Sequence, residues 1–304
     1  MKRNPIPLCL VFAVVAVLTT LAVAEPATNH EYVFTPFDAP DSVFTFPIGI
    51  NNNGLITMQY LGGNDSRFHS ATLRNGTYTI IDVPDASDTL VSAPNMQGQV
   101  ALGYYLQGEV VMHAAVYTRG SYAFLPDVPG ELNTSPSALN AGGQISGVTW
   151  SDNFYVVHGY LWDGSVYNIF DHPDTDIPQT LAMGLNNQGQ IVGQYTKMNG
   201  EIHGFFKDGD NYTEIAFPGE PNTVAYGINN SGEIVGLCGV AGPGPNGFAV
   251  GSQGFILSKG IYTKLVYPES ASSFPLGIND TGGIVGVYMG EDGVFHGYLA
   301  TVKK

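Results

Sequence analysis

Five of the 7 histidines in this chain, His69, His113, His158, His203 and His296, each open a short β-rich stretch and recur at one position of a repeating pattern. Histidine beside carboxylate can bind metal, move a proton, or hold a structural hydrogen bond. Here the histidines come one per repeat, so the repeats carry them apart and they cannot converge on one ion. Each has an acid in reach of the pattern: Asp82 for His69, Asp127 for His113, Asp171 for His158 and, across the ends of the chain, Asp38 for His296. We therefore expect four structural His–Asp pairs and no metal or cofactor. His203 would face Ala216, and the repeat with Gln253 in place of histidine has Val266 in place of aspartate. His172 falls outside the pattern, beside Asp174 and Asp176, and reads as a polar loop histidine near solvated acids. An acid–base cluster is the sharper alternative.

A second set of residues suits carbohydrate. The connections between repeats are all acidic, at Asp41, Asp85, Asp88, Glu131, Asp174, Asp176, Glu220 and Glu269. Tyr60, Tyr104, Tyr195 and Tyr288 recur at the end of an apolar run, with Trp150 close by. An aromatic ring can lie on the apolar face of a sugar while carboxylates accept from its hydroxyls. The plainer reading packs the tyrosines between repeats and leaves the acids solvated. The fifth repeat departs most, with Cys238 in the tyrosine position and a long Gly239–Gly247 loop. From sequence the sector of Tyr195, Glu220 and that loop is the place to expect a ligand.

The elements that position these groups follow from an Asn-x-x-Gly turn. It occurs at Asn51, Asn95, Asn140, Asn186, Asn229 and Asn279, each time before an apolar run. Spacing of roughly 45 residues is that of a four-stranded propeller blade. Asn and Gly accept the left-handed backbone of a hairpin turn, so each unit reads as strands A and B across this turn. Strand C follows the histidine, and strand D ends in proline, as at Pro84, Pro129, Pro173, Pro218 and Pro268. The last unit stops after strand C, and the chain opens with an orphan strand D ending at Pro40. These complementary ends predict an all-β, closed six-bladed β-propeller of four-stranded blades, its N-terminal strand completing the last blade. Alternation puts the D–A and B–C loops at one end of the blades, and that rim is the expected binding face.

The Gly-Ile-Asn-Asn-x-Gly-x-Ile-Val-Gly core followed by His-Gly-Phe or His-Ala resembles the extracellular HAF repeats, named for a His-Ala-Phe motif. Met58 and Leu102 depart from it at the strand-B glycine, and Gln253 at the histidine. The resemblance implies an exported repeat protein and supplies no catalytic residues.

Lys2 and Arg3, an apolar run and Ala22-Val23-Ala24 read as a secretory signal peptide over 1–24, leaving one domain over 25–304. The expected location is secreted or periplasmic, without stable membrane insertion. Cys238 is then the one remaining cysteine, so no internal disulfide is expected. A net charge of −15 repels nucleic acid and anionic lipid and leaves cations, neutral glycans or proteins as partners. There is no nucleophile elbow, phosphate loop or paired-cysteine metal motif. The expected function is an exported binding module for a glycan or another surface ligand. A hydrolase or lyase using rim carboxylates, such as Asp174 and Asp176, and a purely structural surface protein are the alternatives.

Overall fold

The computed structural model describes residues 32–151, 155–175, 178–239, 252–270 and 272–303. The expected signal peptide and most of the Gly239–Gly247 loop lie outside them. Strand β1 is Tyr32–Phe37. Strands β2 to β5 are Ser42–Ile50, Ile56–Gly62, Phe68–Arg74 and Thr77–Ile80; β6 to β9 are Ala86–Val91, Val100–Leu106, Met112–Thr118 and Ser121–Phe124. Strands β10 to β13 are Asn133–Leu139, Ile145–Trp150, His158–Trp162 and Tyr167–Phe170; β14 to β17 are Thr180–Leu185, Ile191–Thr196, Ile202–Asp208 and Asn211–Ile215. Strands β18 to β21 are Thr223–Ile228, Ile234–Cys238, Gln253–Ser258 and Ile261–Leu265; β22 to β24 are Ser273–Ile278, Ile284–Met289 and Phe295–Val302.

This is an all-β propeller, with no helix among the described residues. Strands β2–β5, β6–β9, β10–β13 and β14–β17 form four blades of four antiparallel strands. The expectation of six separate four-stranded sheets is not met. The remaining strands make one eight-stranded sheet, in which a single parallel pair, Gln253↔Ser273, joins β20 to β22. Strand β1 pairs with β24 over six positions, Tyr32↔Val302 to Phe37↔Gly297.

The recurring asparagines explain why each turn needs that residue. Asn95 is 4% exposed, and its side chain is saturated. Its Oδ1 accepts from the Gln97 and Gln99 amides, while Nδ2 donates to Gln99 Oε1 and to the Asn140 carbonyl. Aspartate lacks the donors and glutamine is too long to close the same turn. The donation to the next repeat recurs from Asn51 to Asn95, Asn140 to Asn186, Asn186 to Asn229, Asn229 to Asn279, and Asn279 back to Asn51. The turn glycines, such as Gly189 at φ 80°, take the left-handed backbone that closes the hairpin.

Met58 and Leu102 have a physical reason. In four repeats the strand-B glycine lies directly across from a buried aromatic: Gly147↔Tyr160, Gly193↔Phe205, Gly236↔Phe255 and Gly286↔Tyr298. A Cβ on Gly193 would collide with the Phe205 ring and the Leu181 carbonyl oxygen. In the first two repeats the sizes are exchanged, with Met58↔Ala71 and Leu102↔Ala115, all four buried. The pair fills one volume in either order, as close packing requires.

Candidate functional site

Every junction between neighbouring repeats is fastened by the same clasp. The amide before the strand-D proline donates to a hydroxyl on the next strand A. The pairs are Ala39–Thr45, Val83–Thr89, Val128–Thr134, His172–Thr180, Phe217–Thr223 and Tyr267–Ser273, at 2.9–3.0 Å. In four repeats the side chain of this pre-proline residue packs with the strand-B tyrosine, Ala39 with Tyr60, Val83 with Tyr104, His172 with Tyr195 and Tyr267 with Tyr288, while the other two repeats have Thr149 and Cys238 at that position. His172 therefore belongs to the repeat, and the solvated-loop reading is wrong. It is 4% exposed and stacks face to face on Tyr195, with centroids 3.6 Å apart and planes 9° apart. Its Nδ1 accepts from the Asp174 amide at 3.2 Å, and burial holds its pKa below the ordinary value. Tyr267 occupies the same place and stacks on Tyr288 at 3.7 Å and 4°.

On the other side of each tyrosine stands a histidine held by carboxylates. His69 Nδ1 bonds Asp82 at 2.5 Å and Nε2 bonds Asp65 at 3.0 Å. His113 has Asp127 at 2.9 Å and Glu109 at 3.1 Å; His296 has Asp38 at 2.7 Å and Asp292 at 3.2 Å. His158 Nδ1 meets both oxygens of Asp171 at 2.9 Å. His203, expected to face Ala216 without a partner, bonds Glu214 at 2.7 Å and Glu201 at 3.4 Å. Glu214 lies two residues before Ala216, and positions two apart share a strand face. The second carboxylates were missed, although the signal was present: Asp65, Glu109 and Asp292 each precede their histidine by four residues.

A histidine can donate to two carboxylates from both nitrogens only in its cationic form. For His69 burial disfavours the charge, but the hydrogen bonds and charges of Asp82 and Asp65 outweigh it and raise the pKa. The same balance raises His113 and His296. Their contribution to stability is whole below about pH 6.5, the unfolded value, and drains as pH rises through the raised folded values. His172 acts oppositely: its neutral form is favoured, so stability is lost as pH falls from about 6.5 through its lowered value. The melting temperature should decline from pH 6.5 to pH 8.5. In a His69→Gln/His113→Gln/His296→Gln chain that decline should flatten. An equal decline in both, measured by calorimetry, rejects the role.

The aromatic platforms read from the sequence are largely consumed by packing. Tyr195 is fully buried and Trp150 is 2% exposed, so neither presents a face to a sugar. Tyr104 is buried, and Tyr288 is covered by Tyr267. Glu220 faces Lys264 at 4.0 Å. Asp174 is exposed, and Asp176 lies outside the described residues. Cys238 is buried, with its thiol pushed up to about 12 by burial and Glu220, against the lesser influence of Lys264, which makes it a poor nucleophile. The sector expected to bind, around Tyr195 and Glu220, thus lacks an open ring.

Tyr60 is buried as well, at 6% exposed, and reaches the surface only by an edge. Its junction holds Ala39 where others hold Val83, Val128, His172, Phe217 or Tyr267. A cleft of about 370 Å³ opens there, lined by Ala39, Asp41, Tyr60, Asp65, His69 and Tyr78 among others, with no Lys or Arg. It joins a D–A connection to a B–C loop, and the Gly63 amide donates to the Asp41 carbonyl at 2.8 Å across them. Burial, and then the charges of Asp82, Asp65 and Asp41, raise the pKa of the Tyr60 hydroxyl above its ordinary value. The volume is at the lower end of small-molecule sites.

No family model matches the chain, and no curated protein matches it. Solved propellers do. A lectin of Aleuria aurantia, in complex with Fucα1-6GlcNAc, has 10% identity and a TM-score of 0.50, covering 87% of this chain and 96% of its own. A mutant of AofleA from Arthrobotrys oligospora has 11% identity and a TM-score of 0.52, covering 90% and 87%. The β-propeller domain of the Trilobed protease from Pyrococcus furiosus, which has an open velcro topology, has 11% identity and a TM-score of 0.51, covering 84% and 95%. At these identities the likeness is one of fold, and it places the chain among the β-propellers.

Proposed function

We propose that the chain is an exported, HAF-repeat-like binding module that takes carbohydrate on the rim formed by its D–A and B–C loops. The observation that carries this reading is the rim cleft where Tyr78 and the edge of Tyr60 meet Asp41 and Asp65, with His69 already engaged by Asp65 and Asp82 and no Lys or Arg in the lining. Aromatic faces and hydroxyl acceptors together are what a neutral sugar requires. The Aleuria aurantia lectin of the same fold, in complex with Fucα1-6GlcNAc, agrees with it.

The scaffold on this reading is a closed ring of six blades. Strands β18–β21 would form a fifth blade, and β22–β24 with β1 a sixth. Two observations support this: one parallel pair is all that merges them into a single sheet, and the asparagine donations return from Asn279 to Asn51. The signal-peptide pattern supports export to the periplasm or beyond.

The purified chain, lacking residues 1–24, should bind neutral glycans on an array and leave sialylated and sulfated ones unbound. Asp41→Asn should weaken the bound signals several-fold, since it removes an acceptor at an exposed position and asparagine tolerates the φ of 56° found there. An array without signal, or one dominated by anionic glycans, rejects the reading.

A further inference from the structure

Exposed apolar side chains are shared unevenly among the rim loops. The loop between β3 and β4 carries Gly63, Asn64, Asp65 and Ser66, and the tip between β23 and β24 runs from Gly290 to Gly293 through two acids. The three repeats in between, built on β6 to β17, differ. Val110, between β7 and β8, is 79% exposed; Leu132, between β9 and β10, 46%; Tyr155, between β11 and β12, 75%; and Met198, between β15 and β16, 74%. One exposed apolar residue is ordinary, but a row of them on neighbouring loops marks a surface that meets something. Hydrogen bonds lace these loops together. The Met112 amide donates to Asn133 Oδ1, and Asn133 Nδ2 donates to the Ser151 carbonyl at 3.1 Å. Gln179 Nε2 donates to the Tyr155 carbonyl at 3.2 Å, and the Thr196 amide donates to the Gln179 carbonyl at 3.1 Å. Elsewhere, exposed apolar residues such as Ile80, Phe124 and Ile169 sit one to a blade, on its outermost strand.

Charge selects what covers this arc. Glu109 precedes Val110 and Glu131 precedes Leu132, while Asp174 and Glu201 stand on the connections beside Tyr155 and Met198. Glu109 and Glu201 each give one oxygen to a histidine and keep about half of the side chain in water, 47% and 50% exposed. Even with its histidine charged, each of these clusters holds two carboxylates and so one net negative charge. Of the cations at this end, Arg67 bonds the Ser87 and Ala86 carbonyls and Lys197 stands over the Tyr195 ring at 5.8 Å. Arg74, Arg119, Lys207 and Lys259 all lie at the opposite end, beside the C–D turns. Anionic lipid is repelled by such a rim, and a neutral bilayer would cover the acids without supplying donors, which is costly. A polypeptide carrying both apolar side chains and Lys or Arg satisfies both halves, and its charge steers the approach. Tyrosine and methionine suit the contact, the one burying a large area with few torsions and the other adapting its shape. We infer that the rim arc from Val110 to Met198 is the docking surface for a cationic, apolar-rich polypeptide segment of a partner protein. It is separate from the cleft beside Tyr60 and does not depend on the carbohydrate reading.

The probe is a soluble synthetic peptide of alternating Lys and Leu, with Lys–Ser and Glu–Leu peptides of equal length as controls. Titrated into the ¹⁵N-labelled mature chain, the Lys–Leu peptide should move the amides of Val110, Leu132, Tyr155 and Met198. The controls should leave them in place, and the binding should weaken as salt is raised. Val110→Ser/Tyr155→Ser/Met198→Ser changes exposed positions, so it should melt with the parent, and it should weaken the Lys–Leu peptide at least tenfold. Should the triple variant fold poorly, Met198→Ser alone should weaken the peptide at least threefold. Equal binding of the Lys–Leu and Lys–Ser peptides, which would be charge without a docking surface, overturns the proposal. Unchanged binding by the variants, or no binding of the Lys–Leu peptide, does the same. Binding to phosphatidylcholine vesicles that the triple variant loses overturns it in favour of a lipid contact. Loss of glycan-array signals in the triple variant overturns it in favour of Tyr155 as a sugar platform.

Discussion

Gly193→Leu should unfold the chain or cost more than about 4 kcal/mol, at the exceptional end for a single substitution. The new side chain would strike both the Phe205 ring and the Leu181 carbonyl oxygen, so neither side can yield without moving a strand. Phe205→Ala alone should cost about 3–5 kcal/mol, through the cavity it leaves in a fully buried position. The double variant Gly193→Leu/Phe205→Ala reproduces Leu102↔Ala115 and should recover at least half of the summed losses. Denaturant unfolding of the four proteins gives the coupling energy directly. A double variant as unstable as the sum of the singles would show that the exchanged pairs are not equivalent fillings of one volume.

The second large effect concerns β1. Removing residues up to Pro40 takes away one of the two partners of β24, leaving it paired only with β23, and with it the Asp38 carboxylate on His296. Phe34 also leaves its edge contacts with Tyr267 and Tyr298, at 5.2 and 5.3 Å. Several ladder hydrogen bonds at about 1 kcal/mol each, plus about 1.5–3 kcal/mol for each of Phe34 and Phe37, approach the whole stability of an ordinary domain. The truncated chain should be largely unfolded or aggregated, because β24 would become an open edge. Adding a synthetic peptide of residues 30–41 should restore part of its circular dichroism. A truncated chain that melts with the parent would mean that β1 is an ornament.

Much of the scaffold was legible in the residues, for reasons that separate what was found from what was missed. Hairpin turns need Asn and Gly at fixed places, so the repeat and its strands could be read directly. The His–Asp pairs were legible because both members recur. Glu214 was not, because it was sought in the column of Asp82 instead of two residues earlier on the same strand face. The burial of Tyr195 agrees with the plainer reading, packing between repeats, but sequence alone could not choose it over a sugar platform, since it gives the end of a strand and not what the neighbouring repeat lays over it. The cleft depended on one small residue. The pre-proline column reads Ala39, Val83, Val128, His172, Phe217 and Tyr267, and its spread of sizes acquires meaning only once that side chain is known to point into a junction. His172 looked like an intruder for the same reason.

The asparagine donations also bear on where a ligand can act. All six run the same way round, each repeat giving to the next in chain order. The donations return from Asn279 to Asn51, so each of the six turns both gives and receives one such bond. Each of these asparagines is buried, so withdrawing a partner leaves an unpaired amide, which is costly. A visiting ion or hydroxyl would find the donors and acceptors here already spoken for. A ligand approaching the turn end would meet amides already engaged and an Asp280 carboxylate held by Asn52 and Asn230.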